Sequence, residues 1–83
     1  VTIHITVAIR DTQLAAYGRP YYTPTTGAAI RSFQDEANNP ESMINKHPED
    51  FELVQLGTFN DETGKHENLD TPKQLTSGKA VRT

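Results

Sequence analysis

Cysteine and tryptophan are absent from this chain of 83 residues, Met occurs once, and only 34% of the residues are hydrophobic. Without Cys, neither a disulfide nor a thiolate metal site can staple the fold. A chain this short buries a modest share of its surface, and its core offers only a few kcal/mol of net stability. Oligomerisation is the remaining common remedy, so a homodimer is expected. Residues 1–83 make one domain with no room for a second, and residues 71–83, with few large apolar side chains, read as a poorly ordered tail. No apolar run approaches the ~18 residues of a membrane span, and no basic segment followed by an apolar stretch opens the chain. A soluble, cytoplasmic protein is therefore expected.

The patterns of catalysis and metal binding are missing as well. His4, His47 and His66 are the only imidazoles, and none falls in the HxxxH or HxH spacing that sets two on one face. The acids around Asp61 do not form a calcium loop, because Lys65 stands where an oxygen ligand is needed. Gly27-Ala28-Ala29 lacks the Lys-Ser/Thr of a phosphate-binding loop, and no G-x-S-x-G elbow occurs. The expectation is a noncatalytic protein with no metal and no cofactor.

Charge is scarce and uneven. The net charge is −3, which argues against indiscriminate attraction to nucleic acid. Residues 1–34 nevertheless carry Arg10, Arg19 and Arg31 against Asp11 alone, whereas residues 35–83 carry ten acids against five bases. All three early cations are arginines, the residue suited to bidentate phosphate contacts.

The periodicities give an α+β reading. Ile3, Ile5, Val7 and Ile9 alternate with His4, Thr6, Ala8 and Arg10, and the alternation predicts a half-buried strand from Val1 to Arg10 with His4 and Arg10 on its polar face. Asp11-Thr12 suit the cap of a short helical turn that Gly18 would end. Pro20 and Pro24 bracket Tyr21 and Tyr22 in extended backbone, so the two rings point to opposite sides, one to the core and one to solvent. Thr25 or Thr26 caps a helix running to about Asn38, with Ile30, Phe33 and Ala37 as its apolar stripe and Ala29 at the edge. Pro40 to Ile44 suits a second short turn with proline first, and Pro48-Glu49-Asp50 a third. Phe51–Phe59 reads as a strand with apolar residues on both faces, hence central or covered by a partner, and Gly57 within it hints at a bulge. Asn60–Lys65 is a strong turn leading into a short strand, His66–Leu69. The predicted fold is a small antiparallel sheet of about three strands packed with one main helix.

One combination points to a ligand. Tyr17, Arg19, Tyr21, Tyr22 and Arg31 interleave aromatic rings with guanidinium groups, as single-stranded DNA binders do when rings stack on bases and arginines hold phosphates. The plainer alternative is that the tyrosines form core and the arginines lie on a solvated surface.

A longer pattern adds to this. Ile9-Arg10-Asp11, Pro20-Tyr21-Tyr22 with Pro24, Gly27 with Ala29-Ile30-Arg31 and Phe33, then His47-Pro48-Glu49-Asp50-Phe51 and Leu56-Gly57-Thr58-Phe59 with Asp61, Thr63 and Gly64 occur in order. Over residues 9 to 75 the chain resembles the small nonstructural protein of gokushovirus-type microviruses, which are single-stranded DNA phages; the first eight residues stand outside that pattern. The resemblance implies a phage-encoded factor acting in DNA replication or packaging in the host bacterial cytoplasm. Combined with the residues above, the expected function is single-stranded DNA binding by Arg10, Arg19, Tyr21, Tyr22 and Arg31. The rival is a factor that docks on phage or host replication proteins, or on the capsid, without touching DNA.

Overall fold

Alternating side chains build the first strand, β1 (Ile3–Asp11), in a computed structural model that describes residues 3–82. Val1 and Thr2, where the predicted strand begins, lie outside the described residues, as does Thr83. One edge of β1 pairs antiparallel with β4 (Phe51–Asn60) from Ile3↔Asn60 to Asp11↔Phe51. Its other edge takes two short strands, β2 (Ala16–Tyr17) opposite Arg10 and Asp11, and β3 (Tyr21–Thr23) opposite Ile5 to Val7. β5 (His66–Ser77) pairs with the far edge of β4, so the sheet runs β2-β1-β4-β5 with β3 also on β1. The sheet is thus antiparallel with five strands, where the sequence predicts about three. Strands of two and three residues are too short to show a period, and they form because the edge of β1 offers backbone partners.

The segment after β1 makes this concrete. Asp11 Oδ1 accepts from the amides of Gln13 (2.9 Å) and Leu14 (3.3 Å), which starts a turn. The predicted helical turn does not form. Ala15 enters the left-handed region (φ 52°) and sends Ala16-Tyr17 back along β1 as a hairpin. The open edge of β1 offers these residues backbone partners that an isolated helical turn does not.

The main helix, α1 (Thr26–Ala37), is close to its sequence prediction. Thr25 Oγ1 accepts from Ala28 N at 3.0 Å, and Asn38 closes the other end. Ala29, Phe33 and Ala37 are its buried residues, with Ile30 only partly buried, so the stripe is centred on Ala29. Two alanines flanking Phe33 let the helix sit close to the sheet, where Phe33 meets Val7, Leu53 and Ile44 in one core cluster. Burying one such aromatic ring contributes roughly 1.5–3 kcal/mol.

The next turn is displaced from its prediction, whereas the one at Pro48-Glu49-Asp50 forms in place. Asn39 O accepts from Ser42 N (2.9 Å) across Pro40, making a β-turn with proline at its second position. The helical turn α2 (Met43–Lys46) starts only after it, capped by Ser42 Oγ on Ile44 N. A 3-10 turn, Pro48–Asp50, then leads into β4. At the far end β5 continues well past Leu69, and a last turn, α3 (Gly78–Val81), returns Val81 to the core. Asn38 Nδ2 donates to Val81 O at 3.2 Å, tying that turn to the end of α1.

All the helices lie on one face of the sheet. Ile5, Val7 and Ile9 of β1, Tyr21 of β3, Phe51 and Leu53 of β4 and Leu75 of β5 face them. Among the described residues no helix is long and apolar enough to cross a membrane.

Candidate functional site

β4 changes parity in its middle. Val7 pairs with Gln55 and Thr6 with Gly57, so Leu56 is an extra residue in the ladder. Such a bulge shifts every later residue to the other side of the sheet. Phe51 and Leu53 therefore face the helices, while Gly57 and Phe59, of the same odd numbering, face away from them. Val54, paired with Ala8 ahead of the bulge, already faces away from the helices, and the bulge adds Phe59 to that side; β4 is central, between β1 and β5. Gly57 is required at the bulge: a Cβ there would collide with the Glu67 carbonyl of β5 and come within 3.0 Å of Asn68 Cα.

The parity change assembles a row of rings on the helix-free face. Register sets His4 beside Phe59 and Phe59 beside His66, while Thr6 lies beside Tyr22. The Tyr22 and Phe59 ring centroids are 5.6 Å apart and tilted by 45°, and the His66 ring meets Tyr22 edge-on at 6.2 Å. The His4 ring also meets Phe59, at 6.2 Å and tilted by 40°. Offset and edge-to-face pairs at such separations are the favoured aromatic geometries.

Two hydrogen bonds hold the histidines in place. His66 Nε2 and the buried Thr6 Oγ1 are 2.9 Å apart, and His4 Nε2 donates to Asp61 Oδ2 at 3.2 Å. Tyr22, 56% exposed, stands proud of the row. Further along the same face, Arg10 stacks over the exposed Tyr17 at 5.7 Å and donates from Nη1 to Glu52 Oε1 at 3.2 Å. Beneath, Ala8 and Val54 are buried.

The five predicted DNA contacts divide between the two sides of the sheet. Arg10 and Tyr22 share the helix-free face. Arg19 is exposed in the link between β2 and β3, next to Gly18, whose N donates to Ile9 O at 2.7 Å. Tyr21 turns inward as the core member of the tyrosine pair, packs against the hydrophobic cluster, and burial raises its pKa above 10.0. Arg31 is exposed on α1, in the helical layer. Tyr17 belongs to the interleaved set read from the sequence though not to the five contacts, and the residues of the row that sequence reasoning left out altogether are Phe59, His4 and His66. The Leu56-Gly57 pair is the signal for two of them, because reading it as a parity change carries Phe59 to the side of His4.

One further cluster of potential ligand atoms needs no histidine pair. His47, Glu49 and Asp50 hold ligand-type atoms within 4.8 Å of one another. His47 and Glu49 are exposed, and Asp50 Oδ1 accepts from Gln13 Nε2 at 3.3 Å. The arrangement is that of an open acidic turn.

Comparison with curated proteins and with solved structures finds no match. The model of the phage ORF5 protein family matches residues 4–81. That span takes in most of β1, which the resemblance over residues 9 to 75 left out, and it runs on through α3. With nearly all of the chain inside the match, this protein is a bacteriophage protein that belongs to the phage ORF5 protein family.

Proposed function

We propose that the protein is a noncatalytic phage factor that binds single-stranded DNA along the helix-free face of its sheet during genome replication or packaging. The observation that carries this reading is the row Tyr22, Phe59, His66 and His4, continued by Tyr17 under Arg10. Every base has a π-face, so exposed rings bind unpaired bases without reading sequence, at about 1–3 kcal/mol per stacked base. Bases inside a duplex are already stacked and cannot lie on such a surface. Arg10 and Arg19 supply the phosphate contacts, with the Arg10 share reduced by its hydrogen bond to Glu52. The resemblance to the nonstructural proteins of gokushoviruses, whose genomes are single-stranded DNA, supports this ligand.

The net charge of −3 sets the character of the binding. Stacking carries most of the affinity, and two phosphate contacts give a slope of about −1.4 for log affinity against log salt on a single strand. Fluorescence anisotropy with labelled oligonucleotides, at low and physiological salt, tests this. A single strand is expected to bind more tightly than its duplex. Tyr22→Ala should weaken binding about 5- to 150-fold, the equivalent of one lost stack. Arg19→Glu should weaken binding and flatten the salt slope, while Arg31→Glu, on the helical layer, should leave it nearly unchanged. Absence of binding at low salt, or equal affinity for duplex, refutes the proposal.

A further inference from the structure

The opposite face of the sheet carries a second surface of different chemistry. Where α1 and α2 diverge above β1 and β4, they leave a groove of about 580 Å³, within the roughly 300–1,000 Å³ range of built ligand pockets. Ile9, Phe51 and Tyr21, all half-buried, form its floor with Phe33. Met43 stands at the lip, 57% exposed. An exposed unbranched thioether at the mouth of an apolar groove adapts its shape to an incoming side chain.

The rim decides what that side chain belongs to. Both charged residues lining the groove are acids, Glu36 on α1 and Glu41 just before α2. Both are exposed, and among the described residues neither takes part in an ion pair. An apolar floor under two uncompensated carboxylates repels phosphates and attracts a cation attached to an apolar group.

We propose that the groove between α1, α2 and the sheet binds a short protein segment that presents a large apolar side chain flanked by Lys or Arg. The apolar side chain fills the space over Ile9 and Phe51 beside Met43, and the flanking cations reach Glu36 and Glu41. This surface does not depend on DNA binding. It lies on the other side of the sheet from the aromatic row, so both ligands can be held at once, and the protein would join a single strand to a basic partner segment.

The test uses three labelled peptides of equal length and the full chain. The first alternates Arg with Leu and Phe, the second replaces Arg by Glu, and the third keeps Arg but replaces Leu and Phe by Ser. Saturable binding of the first alone is expected in fluorescence anisotropy. The double variant Glu36→Lys/Glu41→Lys and the single variant Met43→Gln should each weaken it by about tenfold. All three positions are exposed, so these variants should keep the wild-type circular dichroism spectrum. The control Glu67→Lys/Asp70→Lys, two reversals on β5, should bind like wild type.

Chemical shifts of Ile9, Tyr21 and Phe51 should move on titration with the first peptide. Absence of binding, equal binding of the Ser peptide, or an equal loss in the β5 control overturns the proposal, the last two because they mark bulk charge attraction. Sedimentation adds one more outcome. A dimer that Met43→Gln dissociates would assign the groove to a second copy of the chain and overturn a separate partner.

Discussion

Replacing Gly57 by Ala is the sharpest probe of how this sheet is built. The added Cβ would overlap the Glu67 carbonyl oxygen and lie 3.0 Å from both Glu67 C and Asn68 Cα. These are backbone atoms of β5, which no rotamer change can move aside, so the strand itself must retreat from β4. Separation breaks the ladder next to the Gly57↔Asn68 and Thr58↔Glu67 positions. Two lost hydrogen bonds at about 1 kcal/mol each, with residual overpacking of roughly 1–2 kcal/mol, put the cost at about 3–4 kcal/mol. A chain of 83 residues is expected to have only about 4–12 kcal/mol in total. Urea denaturation followed by circular dichroism should show a midpoint lower by roughly 3–4 M, at a slope of about 1 kcal/mol per molar. Gly64→Ala is the internal reference. Gly64 has positive φ (75°) and open space where its Cβ would stand, so only backbone strain of about 1–2 kcal/mol applies. A Gly57→Ala variant that loses less stability than Gly64→Ala, or under about 0.5 kcal/mol, refutes the close-approach argument.

The other substitutions act on single local devices. Thr25→Ala removes the side-chain acceptor from Ala28 N and should cost about 0.5–2 kcal/mol in thermal or urea unfolding; Thr25→Ser should restore most of it. Ala15→Gly relieves the left-handed strain at φ 52° and should raise stability by up to about 1 kcal/mol; a loss would mean that the hairpin does not hold Ala15 there. Burial raises the pKa of the Tyr21 phenol above its ordinary 10.0, so the folded state disfavours the phenolate while the unfolded state ionises normally. The stabilisation is complete below pH 10.0 and is lost as pH climbs from there through the raised folded value. Tyr21→Phe should flatten that alkaline loss in urea midpoints measured across the range, and an unchanged profile would show that another group governs it.

Much of the secondary structure is legible from short-range chemistry. The period of two in Ile3, Ile5, Val7 and Ile9, the Thr25 cap and the Asn60–Lys65 turn each depend on neighbours within a few residues, and each appears in the structure. Tyr21 and Tyr22 separate to opposite sides for the same local reason. The displaced elements are those whose backbone partners lie far away in sequence. Ala16-Tyr17 and Tyr21–Thr23 are strands only because β1 presents an edge, and β5 extends to Ser77 only because β4 runs beside it. α2 starts late because the Asn39–Ser42 turn places Pro40 ahead of the helical turn rather than inside it.

The functional surface divides along the same line. By itself the sequence determined which residue types are present: three arginines against a single acid in residues 1–34, paired tyrosines between prolines, no cysteine, and a glycine inside a strand. The tertiary structure alone decided which of them meet. The Leu56 bulge reversed the parity of β4 and carried Phe59 to the side of His4, Tyr22 and His66. Strand pairing set Arg10 over Tyr17, while helix packing took Arg31 to the other layer and Tyr21 into the core. Residue identity and local periodicity are properties of a segment, whereas membership of a face is a property of long-range register, which one extra residue is enough to invert.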